Sequence, residues 1–156
     1  MAAAGKWKVY ESAKLAWANG EIDFNSHSFK INLYLSTSNA NTLTAATITQ
    51  LSDITNQVAT AFGYTQNSKA VTITTANASG TITIDETTNP QWTASGGSIT
   101  ARFAVIYDDT HASDMPICVC LLDTAPADVT ATDGNTFTIN INASGLFTIS
   151  GATSDA

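Results

Sequence analysis

The chain has 156 residues, 44% of them hydrophobic and 12% charged, with a formal net charge of −7. That length and apolar content suit one domain with a real core and exclude disorder throughout. The acidic balance disfavours nucleic acid as a partner, because phosphates are repelled.

The charge is unevenly spread. Residues 1–69 hold five bases and four acids, whereas residues 70–156 hold Arg102 and nine acids. With so few charges, the polar surface must come from Thr, Ser and Asn. Threonine's branched Cβ fits a pleated sheet, so the composition points to a mainly β protein.

The opening "MAAAGKWK" has no apolar segment after its charges, so no secretory leader is expected. No apolar run approaches membrane-spanning length, and no membrane partner is expected. Residues 1–6 read as a flexible N-terminal arm, followed by one sandwich-like domain over 7–156. Lys6, Trp7, Lys8 and Tyr10 are the interface candidates, a mixed basic and aromatic set able to lie on a neighbouring subunit.

Residues 7–18 are the best helix. Trp7, Tyr10, Lys14 and Trp17 form a stripe beside Ala13, expected to pack on a sheet, and Asn19-Gly20 is the stop signal. His27 follows in a polar turn, where no base or orienting acid is assignable to it. Residues 28–36 alternate: Phe29, Ile31, Leu33 and Leu35 face inward, with Lys30, Asn32 and Tyr34 outward. Residues 47–65 mix helical spacing with β-branched content. The expectation is a short helical turn near 50–55, then extended chain to Gly63-Tyr64.

From residue 70 the pattern is β. "AVTITTA" and "GTITIDE" form a hairpin about a turn at 77–80. Asp85 and Glu86 are adjacent on a strand, hence on opposite faces and poorly placed as an acid–base pair. Trp92 reads as a core residue or, beside Asn89 and Gln91, as a sugar platform. "ITARFAVIYDD" and "PICVCLLDT" are apolar on both faces and predict central strands.

Asp108, Asp109, His111 and Asp114 lie between those two strands. A solvated connecting loop is the plain reading. Asp108, Asp109 and Asp114 are the candidate ligands for a divalent ion, although the loop does not follow the EF-hand pattern. Cys118 and Cys120, two apart on a strand, would sit roughly 6–7 Å from each other. A disulfide needs about 4 Å between Cβ atoms, so buried thiols are expected. Residues 135–143 then alternate as a strand, with Phe137, Ile139 and Ile141 inward, and "LFTIS" closes the chain.

No G-x-S-x-G, GxGxxG, Walker loop or HExxH is present. The expectation is a non-enzyme without a cofactor. A hydrolase using the 108–114 loop is the rival.

Three segments, "WKVYESAKLAWANGEIDFNSHSFKINLYLS", "LSDITNQVATAFGYT" and "PQWTASGGSITARFAVIYDD" leading into "CVCLLD", together resemble small structural proteins of tailed bacteriophage virions. The closing "TFTININASGLFTIS" is similar to that group's final hairpin. The resemblance spans most of the chain and carries no catalytic motif. It implies a virion protein made in the host cytoplasm, namely a capsid decoration (cement) protein. Its partner would be the major capsid protein or another virion protein, and it would form a homo-oligomer, with a trimer as one symmetry. The alternative is a tail or fibre component that binds a host receptor or glycan. The expected fold is an antiparallel β-sandwich or jelly-roll-like domain with a short N-terminal helix.

Overall fold

Two central strands organise the computed structural model, which describes residues 5–125 and 127–151. They are β8 (Phe103–Asp108) and β9 (Met115–Leu121), both buried along nearly their whole length. Valine, isoleucine and phenylalanine suit such strands, because nothing on either face must reach water. β2 (Phe29–Tyr34) pairs antiparallel with β8, from Phe29 opposite Asp108 to Tyr34 opposite Phe103. β1 (Lys8–Val9) and β3 (Lys69–Val71) complete a five-stranded sheet of order β1-β9-β8-β2-β3. The β8–β9 register shifts between Ile106 and Tyr107, one residue before the acidic loop.

The register puts Phe29, Ile31 and Leu33 on one face with Ile106, Ala104 and Asp108. A second layer covers this face. It contains the antiparallel sheet of β4 (Ile73–Ala78), β5 (Thr81–Glu86) and β12 (Phe147–Ser150), in the order β12-β5-β4. It also contains the pairs β6 (Gln91–Thr93) with β11 (Thr136–Thr138), and β7 (Ile99–Ala101) with β10 (Val129–Ala131). Phe24 joins the layers, stacking on Phe29 at 5.7 Å and meeting Phe147 edge-on at 6.2 Å. The Lys69 ammonium sits 5.5 Å above the Trp92 ring and makes a second joint. The result is mainly β, antiparallel and sandwich-like, with one core shared by the layers.

Three local expectations need correction. β2 was expected to bury one face, yet Asn32 and Tyr34 are buried too, while Leu35 is exposed. The far face is covered by the chain after β2, where Asn32 exchanges two hydrogen bonds with Asn67, at 2.6 and 3.0 Å. The helix is also shorter than expected. Residues 8–9 pair with β9, and α1 runs Glu11–Ala18. Its buried face is Ser12, Ala13 and Ala16, so Lys14, Leu15 and Trp17 point outward and the aromatic stripe does not form. Small residues let α1 lie close on β9, and with Trp7 outside the helix its stripe has no first member.

The third correction concerns 135–143, where only Thr136–Thr138 is strand. Beyond it the Ile139 amide donates to Pro90 O and the Ile141 amide to Asn89 Oδ1, so the alternation survives without a sheet partner. Two runs expected as single strands also divide: 70–76 breaks at Thr72, so that β3 joins β2 and β4 joins β5, and "ITARFAVIYDD" breaks at Arg102, so that β7 pairs with β10 and only β8 is central. Other local expectations hold. A single 3₁₀ turn spans Leu51–Asp53. α1 ends at Asn19-Gly20, with Gly20 at φ 77°. β4 and β5 turn through Ser79-Gly80, both at positive φ as a two-residue hairpin of this hand requires.

Candidate functional site

The acidic loop is built outward from Asp108. As the last residue of β8 it is fully buried, and its carboxylate is consumed by its surroundings. Oδ1 accepts the amides of Thr110 at 2.9 Å and His111 at 3.2 Å, which fixes the chain's departure from the strand. Oδ2 lies 2.5 Å from His27 Nδ1. The loop is tied back again by the Asp109 amide, which donates to Ser28 O, and by the Ser28 amide, which donates to Thr110 Oγ1.

The other acidic residues diverge from this point. Asp109 pairs with Lys30 at 2.8 Å across the β2–β8 ladder. His111 accepts the Ser113 amide on Nδ1 and faces Glu21 through Nε2 at 3.7 Å. Asp114 is exposed at φ 45°, its amide donating to His111 O. Asp108, Asp109 and Asp114 therefore do not converge. Among the described residues no three His, Cys, Asp or Glu side chains come together in a metal-binding arrangement.

Sequence reading left His27 without an orienting acid, and the structure supplies Asp108, 81 residues downstream. The pairing of β2 with β8 does this, because setting Phe29 opposite Asp108 brings the residues just before β2 over the end of β8. Only that long-range register would have revealed the pair. An imidazole–carboxylate pair can orient a ring for proton transfer, but it then needs a reacting group on the far nitrogen. Among the described residues no hydroxyl or thiol bonds the His27 ring. The pair acts as a clamp between the turn before β2 and the turn after β8.

The second acidic loop is equally inward-looking. Glu86 is buried and accepts the amides of Thr88 and Asn89 as well as the Thr88 hydroxyl. Asp85 points away from it and accepts the Glu86 amide at 2.8 Å. Trp92 is 5% exposed and packs between Tyr64 and Phe137, so its ring offers no sugar platform. Cys118 and Cys120 are free and buried. Burial raises the Cys118 thiol well above its ordinary value and pushes Cys120 up to about 11, which leaves both poor nucleophiles.

The interface candidates divide. Residues 1–4 lie outside the described residues. Lys6 and Lys8 are exposed and Trp7 is half-buried. Tyr10 is a correction: it is fully buried, its hydroxyl donating to Ala40 O at 2.5 Å, because it closes β1 against the core just before α1 turns away. Sequence reading missed Leu15, 60% exposed, and left Trp17 on the packed stripe when it is 39% exposed. Both lie on the solvent side of α1. A cleft of about 490 Å³ borders Trp17, lined also by Val9, Phe24, Ile117 and Phe147 among others, and Leu15 lies on the other flank of the helix. The arrangement can bury apolar surface against another body. Protein-family models, curated proteins and solved structures were each compared with the chain, and none matches it.

Proposed function

We propose that this chain is a structural protein of a tailed bacteriophage virion, a decoration protein that binds the shell across capsomers and does no chemistry. One observation carries the docking part of this reading. The buried carboxylates Asp108 and Glu86 are spent on their own loops, while Trp17 stands exposed at the border of an apolar cleft. A protein that buries surface on a partner needs rigid loops and an unspent apolar face. The phage setting comes from the resemblance of its segments to virion structural proteins. The mechanism is passive, since disassembly must break the added contacts as well as the shell's own. At about 25 cal/mol per Å² of apolar area, even a modest interface offsets part of the cost of association.

The test is titration of purified shells with the protein. A decoration protein saturates at a copy number matching the shell's symmetry and raises the shell melting temperature. Trp17→Ala should weaken binding by about tenfold or more, as truncation of an interface anchor does. Particle images with the protein confined to the tail would refute decoration and favour the receptor-binding alternative.

A further inference from the structure

The segment 5–10 and β12 run side by side without bonding to each other. The segment is held to β9, with the Gly5 amide on Leu121 O and the Tyr10 amide on Ile117 O. Among the described residues β12 is bonded only to β5. The gap between them consists of two adjoining hollows of about 700 and 490 Å³, both bordered by Phe147 and Thr148. Gly5 and Lys6 lie at one end with Ser144 and Gly145, and Val9 lies at the other with Ile149 and Ser150. The two chain segments therefore point the same way along a slot.

Two features of the slot limit what fits it. β12 is an edge strand, so alternate residues turn an amide and a carbonyl outward with no partner among the described residues. Phe147 and Ile149, half-buried at the slot's border, supply apolar contacts. The charge of the lining is the second feature. Lys6 lines one hollow and Lys14 the other, and among the described residues no acid lines either, in a chain of thirteen acids and six bases. Self-pairing of two copies through β12 would set each basic slot against its own like.

We propose that this slot receives an extended strand from a partner protein. The strand adds to the free edge of β12, turns alternate apolar side chains inward, and presents acidic side chains to Lys6 and Lys14. β12 has four residues, so the strand spans about 13 Å, the reach of a short arm. The main-chain bonds supply affinity and the lysines choose the partner. This deepens the docking reading by naming the partner's chemistry, and it rests on that reading only in requiring that the chain works by docking.

The test uses the full chain and the synthetic peptide acetyl-TVEIEVT-amide. Two control peptides accompany it: one with both glutamates replaced by lysine, and one N-methylated at alternate amides. The acidic peptide should bind about tenfold or more tightly than either control, and should slow amide exchange within residues 147–150. The double variant Lys6→Glu/Lys14→Glu, at two exposed positions, should lose about tenfold for the acidic peptide and remain folded. Equal binding of all three peptides, or no protection at 147–150, overturns the proposal. So does a chain that is already dimeric with those amides protected before peptide is added, because a second copy then fills the slot. Shell binding is measured separately, so a failure here is not confused with a failure of the decoration reading.

Discussion

Asp108 shows what one residue does when its polar capacity is fully used. It closes β8, starts the turn and holds His27 from another part of the chain. Replacing it with alanine leaves the Thr110 and His111 amides and the His27 ring without their partner, though these groups lie near the surface and water can reach them. Hydrogen bonds to the Asp108 carboxyl are made partly by surface groups, so Asp108→Ala should destabilise the fold by about 1.5–3 kcal/mol in urea unfolding. Asp109→Ala, which removes only a partly exposed pair with Lys30, should cost less than about 1 kcal/mol. Equal losses would mean that the turn does not depend on Asp108. The acidic character of this loop was legible in the sequence. Its division into one buried anchor and three outlying groups was not, since that depends on a partner 81 positions away.

At the scale of elements, α1 departs most from its sequence pattern. Aromatic spacing pointed to Trp7, Tyr10, Lys14 and Trp17 as the packed stripe, but the helix begins only at Glu11 and buries Ser12, Ala13 and Ala16. Pairing of residues 8–9 with β9 fixes where the helix starts, and the start rotates its faces. Ala16→Leu should therefore overpack the contact with β9 and cost about 1–3 kcal/mol. Leu15→Gln, on the exposed side, should stay within about 0.5 kcal/mol of the parent. Thermal unfolding of both variants checks this, and a larger loss at Leu15 than at Ala16 would mean that α1 buries its Leu15 flank instead. The β4–β5 hairpin followed its sequence closely, because its Ser79-Gly80 turn and its alternation are both local.

For the whole molecule, the sandwich collects all four tyrosines into its interior. Burial raises the phenols of Tyr10, Tyr34, Tyr64 and Tyr107 above their ordinary value of 10.0. A raised folded value means that the native state keeps protons which the unfolded chain releases. The stability tied to these groups is full below about pH 10 and is lost as pH rises beyond it towards the folded values. Phenolate absorbance should therefore stay flat until the chain unfolds and then rise in one step with loss of the β signal. A smooth titration near the ordinary value, with the fold intact, would show that the tyrosines reach solvent. By itself the sequence determined the mainly β class, the central place of the two apolar runs, the short turns and the acidity of the loops. Those follow from local composition and from a period of two, which act within a few residues of each other. Only the tertiary structure decided which face of α1 is buried, that Asn32 and Tyr34 lie inside, that His27 meets Asp108, and that a slot separates segment 5–10 from β12. Each of those depends on which strand lies beside which, and strand order is set by packing between parts of the chain that no local pattern connects.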